Sequence, residues 1–399
     1  MMEMRIPLSA PDITEADIEA VTSVLRTSRL SLGPKMLEFE ESVAGYVGVP
    51  YGVALSSGTA GLHLGLMALG IGAGDEVILP SFAFIATANA VLYQRARPVF
   101  ADIDPLTLNL DPESVERAIT PRTRAIIVVH TFGCPADLGS IMDIAARHNL
   151  RIIEDACEAI GAEYDGAKTG GFGDFGVLSF YPNKPITTGE GGMLLTRDRR
   201  LAETVRALRN QGRRPADGES DHRLLGYNYR IPEMNCALGL SQMKRIDSIL
   251  ARREDRAKCY CEHLRTNPDV VAPPMGTAPG RACWFVFVAR LAEPFTRADR
   301  DAVVRYLASR GIGCGRYFAP LHRQPLYAAF ADRGRDLAAT DYVAARTLAL
   351  PFFNRLSDSE IAEVCRTLGD AIRATSPAAT RTADSPRNSS GGVARKHSR

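Results

Sequence analysis

The chain has 399 residues, 45% hydrophobic and 24% charged, with a formal net charge of +2. That length exceeds one ordinary domain, and the balance is that of a globular protein rather than of a disordered or membrane-spanning one. A charge so near neutral gives no reason to expect nucleic acid or an acidic membrane as partner. Eight cysteines lie scattered without CxxC spacing. They predict free, buried thiols rather than a metal centre, and, with no apolar leader at the start, a cytoplasmic protein.

Near the N-terminus, Thr14-Glu15-Ala16-Asp17 has the form of a helix cap with acids in the first turn. Ile18, Val21, Val24 and Leu25 follow at helical spacing. From residue 50 to about 200, short apolar runs alternate with amphipathic stretches. Strands are expected at 76–79, 98–101, 125–129, 151–153, 176–180 and 192–195, with helices at 60–69, 85–93 and 141–148 among those between them. The alternation predicts an α/β fold with a mostly parallel sheet. Ligands of such sheets bind beyond the carboxyl ends of the strands. Residues 205–233 read as a polar loop ending in Gly226-Tyr227-Asn228-Tyr229-Arg230, followed by one long helix carrying Leu238, Met243, Ile246 and Leu250.

The expected organisation is a large domain over 1–249 and a smaller C-terminal α/β domain over 250–374. The smaller one has a strand at 284–290 and helices at 300–309 and 357–371. The tail from 375 to 399, poor in large apolar residues, is expected to be disordered.

Three segments suggest chemistry. Ser56-Ser57-Gly58-Thr59-Ala60 opens a helix with small and hydroxyl residues, where free backbone N–H groups can hold a phosphate. Taken alone, a plain capped turn explains it as well. Arg151-Ile152-Ile153-Glu154-Asp155 is an apolar strand ending in an acid, placed to pair with a protonated ring nitrogen or simply to cap a helix. Ser179-Phe180-Tyr181-Pro182-Asn183-Lys184 runs from a strand into a tight turn bearing one lysine, closed by Gly189-Glu190-Gly191-Gly192. A lysine in a rigid, partly desolvated turn is suited to act as nucleophile and then as base.

Together with Pro80-Ser81-Phe82-Ala83-Phe84, Gly226-Tyr227-Asn228-Tyr229-Arg230 and Pro320-Leu321-His322, these motifs stand in one order. In that order the chain resembles the DegT/DnrJ/EryC1/StrS family of pyridoxal-phosphate (PLP) sugar aminotransferases, of fold type I, from about Pro7 to Leu368. The resemblance implies PLP as cofactor, with Lys184 as the lysine that holds it and moves the proton. It implies Asp155 as partner of the ring nitrogen, Phe84 as the stacking aromatic, and Gly58, Thr59 and Ser179 as the phosphate cradle. Glu158 stands near the ring hydroxyl, where many relatives have Gln or His. Asn228 is implied to reach the phosphate of a neighbouring subunit, hence a homodimer with shared sites. Arg230 and His322 are candidate substrate contacts, and no metal is implied.

The implied reaction moves an amino group, with glutamate as donor, to a nucleotide-linked keto-deoxy sugar. The turn around Lys184 looks more like members that act at C4 than at C3. Two other readings stand beside it. A dehydratase of the family replaces the lysine with histidine, so Lys184 speaks against it. A non-enzymatic regulator finds no DNA-binding motif here.

Overall fold

The computed structural model describes residues 4–213, 222, 224–276, 279–330 and 336–375. Two helices, α1 (Glu15–Leu25) and α2 (Pro34–Val47), precede strand β1 (Tyr51–Leu55). Alternating elements follow: α3 (Gly58–Ala68), β2 (Glu76–Pro80), α4 (Ile85–Tyr93), β3 (Arg97–Ala101), α5 (Pro112–Ala118), β4 (Thr123–Val129), α6 (Leu138–His148) and β5 (Arg151–Asp155). A small hairpin, β6 (Glu163–Tyr164) and β7 (Ala167–Lys168), leads to β8 (Phe175–Ser179), β9 (Gly192–Thr196) and α7 (Arg199–Arg209). The sheet order is β1-β9-β8-β5-β4-β2-β3. Only β9 runs against the others, pairing antiparallel with both β1 and β8. The strands are nearly wholly buried, as a sheet covered on both faces requires.

The rest of the chain forms α8 (Glu233–Met243), α9 (Ile246–Leu264), β10 (Val270–Val271), β11 (Gly280–Arg281), β12 (Phe287–Leu291), α10 (Arg297–Ser309), α11 (Ala338–Ala344), β13 (Thr347–Leu350) and α12 (Asp358–Thr375). Strands β10, β12 and β13 make a separate antiparallel sheet. It has its own core, built around Tyr260, Phe287, Leu348 and Leu368. Among the described residues, no helix is long and apolar enough to cross a membrane. None of the eight cysteines forms a disulfide among the described residues, and Cys134, Cys236, Cys283 and Cys365 are buried.

Several expectations need correction. The cap at Thr14 forms, with Asp17 accepting from the Thr14 backbone N–H and hydroxyl, both at 2.9 Å. Of the apolar positions that follow, however, Val24 is buried while Ile18 and Leu25 are exposed. The expected loop from 205 is helical as far as Arg209, because Arg206 and Arg209 turn inward onto the buried carboxylate of Glu40. Residues 214–221 and 223 of that stretch lie outside the described residues. The single long helix is two: Arg245 leaves the helical path and pairs with Asp12 at 3.1 Å and Asp17 at 2.8 Å. The strand expected at 284–290 begins only at Phe287. The helix expected from residue 300 begins earlier, at Arg297, where Thr296 and Asp299 form a capping box. Of the tail, all but Thr375 lies outside the described residues.

One packing detail places the site. Gly58, Gly61 and Gly65 line the side of α3 that lies against the sheet. A Cβ on Gly61 would stand 2.7 Å from Val177 Cγ1, and one on Gly58 would stand 2.7 Å from Cys157 Sγ. Glycine therefore lets the helix settle directly onto β8 and brings its N-terminus to the carboxyl ends of β5 and β8.

Candidate active site

The adjacent acids ending β5 face opposite ways, since side chains alternate along a strand. Glu154 is fully buried and accepts four hydrogen bonds: His130 Nε2 at 3.1 Å, Gly170 N at 2.7 Å, Phe172 N at 2.7 Å and Gly173 N at 2.9 Å. Burial raises its pKa, but His130 and the loop amides outweigh that and hold its carboxyl below the usual range. Asp155 faces a cavity instead. Its Oδ2 accepts from Thr87 Oγ1 at 2.6 Å and its Oδ1 from Cys157 N at 3.3 Å. These two bonds fix the carboxylate and leave it acceptor capacity, because an ionised carboxylate has about four lone-pair positions.

Lys184 stands on a turn tied at both ends. Phe180 N donates to Gly191 O, Thr188 N to Phe180 O, both at 3.0 Å, and Lys184 N to Tyr181 O at 2.9 Å. Thr187 N donates to Gln242 Oε1 at 2.8 Å, anchoring the turn to α8. The lysine side chain is 11% exposed, its Nζ 3.8 Å from Glu158 Oε1. It also sits 3.8 Å from the centre of the Phe285 ring, within cation–π range. Glu158 Oε2 accepts from Phe132 N at 2.9 Å. Burial pushes the Glu158 carboxyl up, against the opposing pull of Lys184 and that amide.

The third wall is the opening of α3. Ser57 Oγ accepts from Ala60 N at 3.1 Å, while Gly61 N is taken by Ser57 O. Among the described residues the amides of Gly58 and Thr59 have no such partner, as expected at a helix start. Beside them stands Ser179, whose Cβ a side chain on Gly58 would approach to 3.1 Å. Gly192 is close as well, for a Cβ there would reach 2.5 Å from Gly58 N. Free amides, a helix dipole and a hydroxyl make an anion pocket of phosphate type. The residues thus fit PLP: amides for its phosphate, a fixed carboxylate for its ring nitrogen, and a lysine for its aldehyde.

All of these groups line one cavity of about 470 Å³. It gathers Gly58, Thr59, Phe84, Asp155, Glu158, Ser179 and Lys184, seven of the residues singled out in the sequence. It does not include Asn228, Arg230 or His322. Asn228 is exposed, on a segment held to α7 by Tyr227 N to Leu208 O at 2.6 Å and Tyr229 N to Arg209 O at 3.0 Å. Arg230 Nη1 donates to Asn210 Oδ1 at 2.9 Å. His322 is occupied by Ser81, whose Oγ lies 2.7 Å from Nδ1, and by Asp341, 3.5 Å from Nε2. Its contacts serve the loop after β2, which Leu321 N also grips by donating to Ser81 O at 2.8 Å. Cys157, Asn183, Phe285, Tyr317 and Phe318 line the cavity too, and no motif pointed to them as functional.

A helix start with free amides, a fixed carboxylate and a nearly buried lysine, all at the carboxyl edge of a mostly parallel sheet, fit a PLP-dependent transferase. The family model of the DegT/DnrJ/EryC1/StrS aminotransferases matches residues 11–369. The chain belongs to that family, and it is a PLP-dependent aminotransferase. It is 40% identical over 369 residues to the GDP-perosamine synthase of Caulobacter vibrioides, covering 92% of this chain and 98% of that protein. It is 35% identical over 384 residues to the UDP-4-amino-4-deoxy-L-arabinose–oxoglutarate aminotransferase of Shewanella sediminis, with 92% and 98% covered. Among solved structures, the PLP form of the putative sugar aminotransferase Spr1654 of Streptococcus pneumoniae superposes with a TM-score of 0.87. That match has 27% identity and covers 93% of this chain and 99% of the other.

Proposed function

We propose that this sugar aminotransferase moves an amino group from glutamate to C4 of a keto-deoxy sugar carried on a nucleotide. The observation that carries the reading is the meeting of Lys184, Asp155 and the α3 N-terminus around one cavity. The substrate class rests on the relatives. The names of two of them contain GDP- or UDP-linked sugars, and one names both a 4-amino-4-deoxy sugar and oxoglutarate, the keto acid left when glutamate gives up its nitrogen.

When bound, PLP supplies an electron sink for negative charge at the carbon bearing the amino nitrogen. The chain's residues do the rest. Lys184 would hold the cofactor and would carry the proton to and from the substrate carbon. Its tethered turn keeps Nζ in place for both tasks. Asp155 keeps the ring nitrogen protonated. Gly58, Thr59 and Ser179 hold the phosphate, and Phe84 stacks on the ring. Glu158, 3.8 Å from Lys184 Nζ, would stand near the ring hydroxyl. The same site takes the donor first and the sugar second, so ping-pong kinetics follow.

The working unit in this reading is a homodimer. Asn228 is exposed and has no place in its own chain's cavity, and Phe84, 59% exposed, and Leu225, 81% exposed, offer apolar surface to a second copy. With residues 1–249 as the cofactor-binding domain and 250–374 as the smaller one, Phe285, Tyr317 and Phe318 reach the cavity from the latter. Incubation with glutamate and a panel of GDP-, UDP- and dTDP-linked 3-keto and 4-keto sugars tests the proposal. Oxoglutarate and a 4-amino sugar should form together. Amination only at C3, or of none of the panel, refutes it.

A further inference from the structure

Next to Lys184 the cavity wall carries a pair of polar groups that the reading above leaves without work. Asn183 immediately precedes the lysine, and Tyr317 comes from the far end of the chain; both line the cavity. The Asn183 side chain lies near enough to the Tyr317 phenol to oppose the rise that burial gives its pKa. Asn183 Oδ1 is buried and has no hydrogen-bond partner among the described residues. Asn183 Oδ1 can thus accept, and the Tyr317 phenol carries an O–H to give.

The pair is held rather than loose. Tyr317 stacks on Phe132 with ring centres 6.3 Å apart and on Phe318 at 5.3 Å. Its backbone carbonyl accepts from Thr347 Oγ1 at 2.8 Å. The neighbouring Gly315 exchanges two backbone bonds with Ala349, at 3.1 and 2.8 Å. Asn183 rides on the tethered lysine turn. A buried amide oxygen without a partner is costly unless a ligand satisfies it.

We propose that Asn183 and Tyr317 form a subsite for one sugar hydroxyl, that on the carbon next to the one aminated. Such a hydroxyl donates and accepts at once. The wall offers it an acceptor, Asn183 Oδ1, beside a donor, the Tyr317 O–H. Glutamate has no group of that kind: its carboxylates only accept and its ammonium only donates. The subsite thus favours the second substrate over the first at a site both must share. This rests on the proposed function, since it presumes a hydroxylated keto sugar.

The test uses the cofactor-loaded enzyme and the variants Tyr317→Phe and Asn183→Ala. Calorimetry measures the affinity of the keto sugar before any glutamate is added, when no amino group is present to transfer. Rapid mixing then follows each half-reaction by the cofactor's absorbance. Both variants should lose about ten- to a hundred-fold in sugar affinity or in kcat/KM for the sugar half-reaction. The loss for glutamate should be at least ten-fold smaller. With a sugar analogue lacking that hydroxyl, wild type and Tyr317→Phe should differ by less than about three-fold. Equal losses for glutamate and sugar, or a Tyr317→Phe penalty that persists with the deoxy analogue, overturns the subsite alone. Because Tyr317→Phe removes a single oxygen, it decides the matter even if Asn183→Ala does not fold. A wild-type enzyme that takes nitrogen from glutamate but passes it to no keto sugar overturns both this and the function it rests on.

Discussion

Glu154 and Asp155 are neighbours on one strand, yet they belong to different regions with opposite chemistry. Beneath the sheet edge, Glu154 is saturated by an imidazole and three loop amides and has nothing further to bind. Above it, Asp155 is held by two donors and opens on a cavity. A buried charge is tolerable when every lone pair is used, and it then serves as structure. A charge that is fixed but incompletely used can serve a ligand. Saturation separates the two roles better than burial does, since Glu154 is 0% and Asp155 only 7% exposed.

The contrast is sharpest under substitution. On the cavity side, Lys184→Ala should abolish transamination, a loss of about 10⁴-fold or more, with the fold unchanged. Turnover near wild type would refute the assignment. Asp155→Asn should keep cofactor and fold but slow both half-reactions by about 10²–10³-fold, because a neutral partner no longer holds the ring nitrogen protonated. Stopped-flow traces of the glutamate half-reaction read this directly; unchanged rates with normal cofactor content would mean that Asp155 does not face the ring. On the other side, Glu154→Gln should behave in reverse. It removes a charge that accepts four bonds, and should cost about 2–3 kcal/mol of stability in urea unfolding. Turnover per folded molecule should fall less than about ten-fold. A catalytic loss as large as that of Asp155→Asn would break the comparison.

How much of this was legible beforehand follows from the same geometry. The strand positions and the chemistry at their carboxyl ends could be read because each lies in one short stretch of sequence. Strand β1 gives no such local signal because Tyr51–Leu55 contains Gly52 and directly follows Pro50, nor does α2, because its apolar positions share the helix with Glu38, Glu40 and Glu41. Glu40 is in fact buried, paired with Arg206 and Arg209 from more than 160 positions away. Tyr317 and Phe285 reach the cavity only because the later part of the chain folds back over it. No local pattern distinguishes them from ordinary core aromatics. His322 sits in a legible motif, but its side chain is spent on Ser81 and Asp341.

Asn228 extends the comparison to a third region, one that belongs to neither side of its own sheet edge. The segment around it is secured to the main body: Ser56 N donates to Tyr229 O at 2.9 Å and Gln211 N to Tyr227 O at 2.8 Å. Asn228 itself is exposed and absent from the cavity. If it holds the phosphate of a partner's cofactor, Asn228→Ala should weaken PLP binding by about ten-fold, the worth of one hydrogen bond to a charged group. The defect must also appear in the other subunit's site. A mixed dimer makes this visible when one subunit carries Lys184→Ala and the other Asn228→Ala, assayed at a PLP concentration that leaves the Asn228→Ala homodimer largely empty. With shared sites, one site collects both defects and the other neither, so about half of wild-type activity returns, as two-fold symmetry requires. With sites built from one subunit each, every site carries one defect, and activity cannot exceed half that of the Asn228→Ala homodimer. Recovery well above that level supports the shared site; its absence in a verified mixed dimer rules the shared site out.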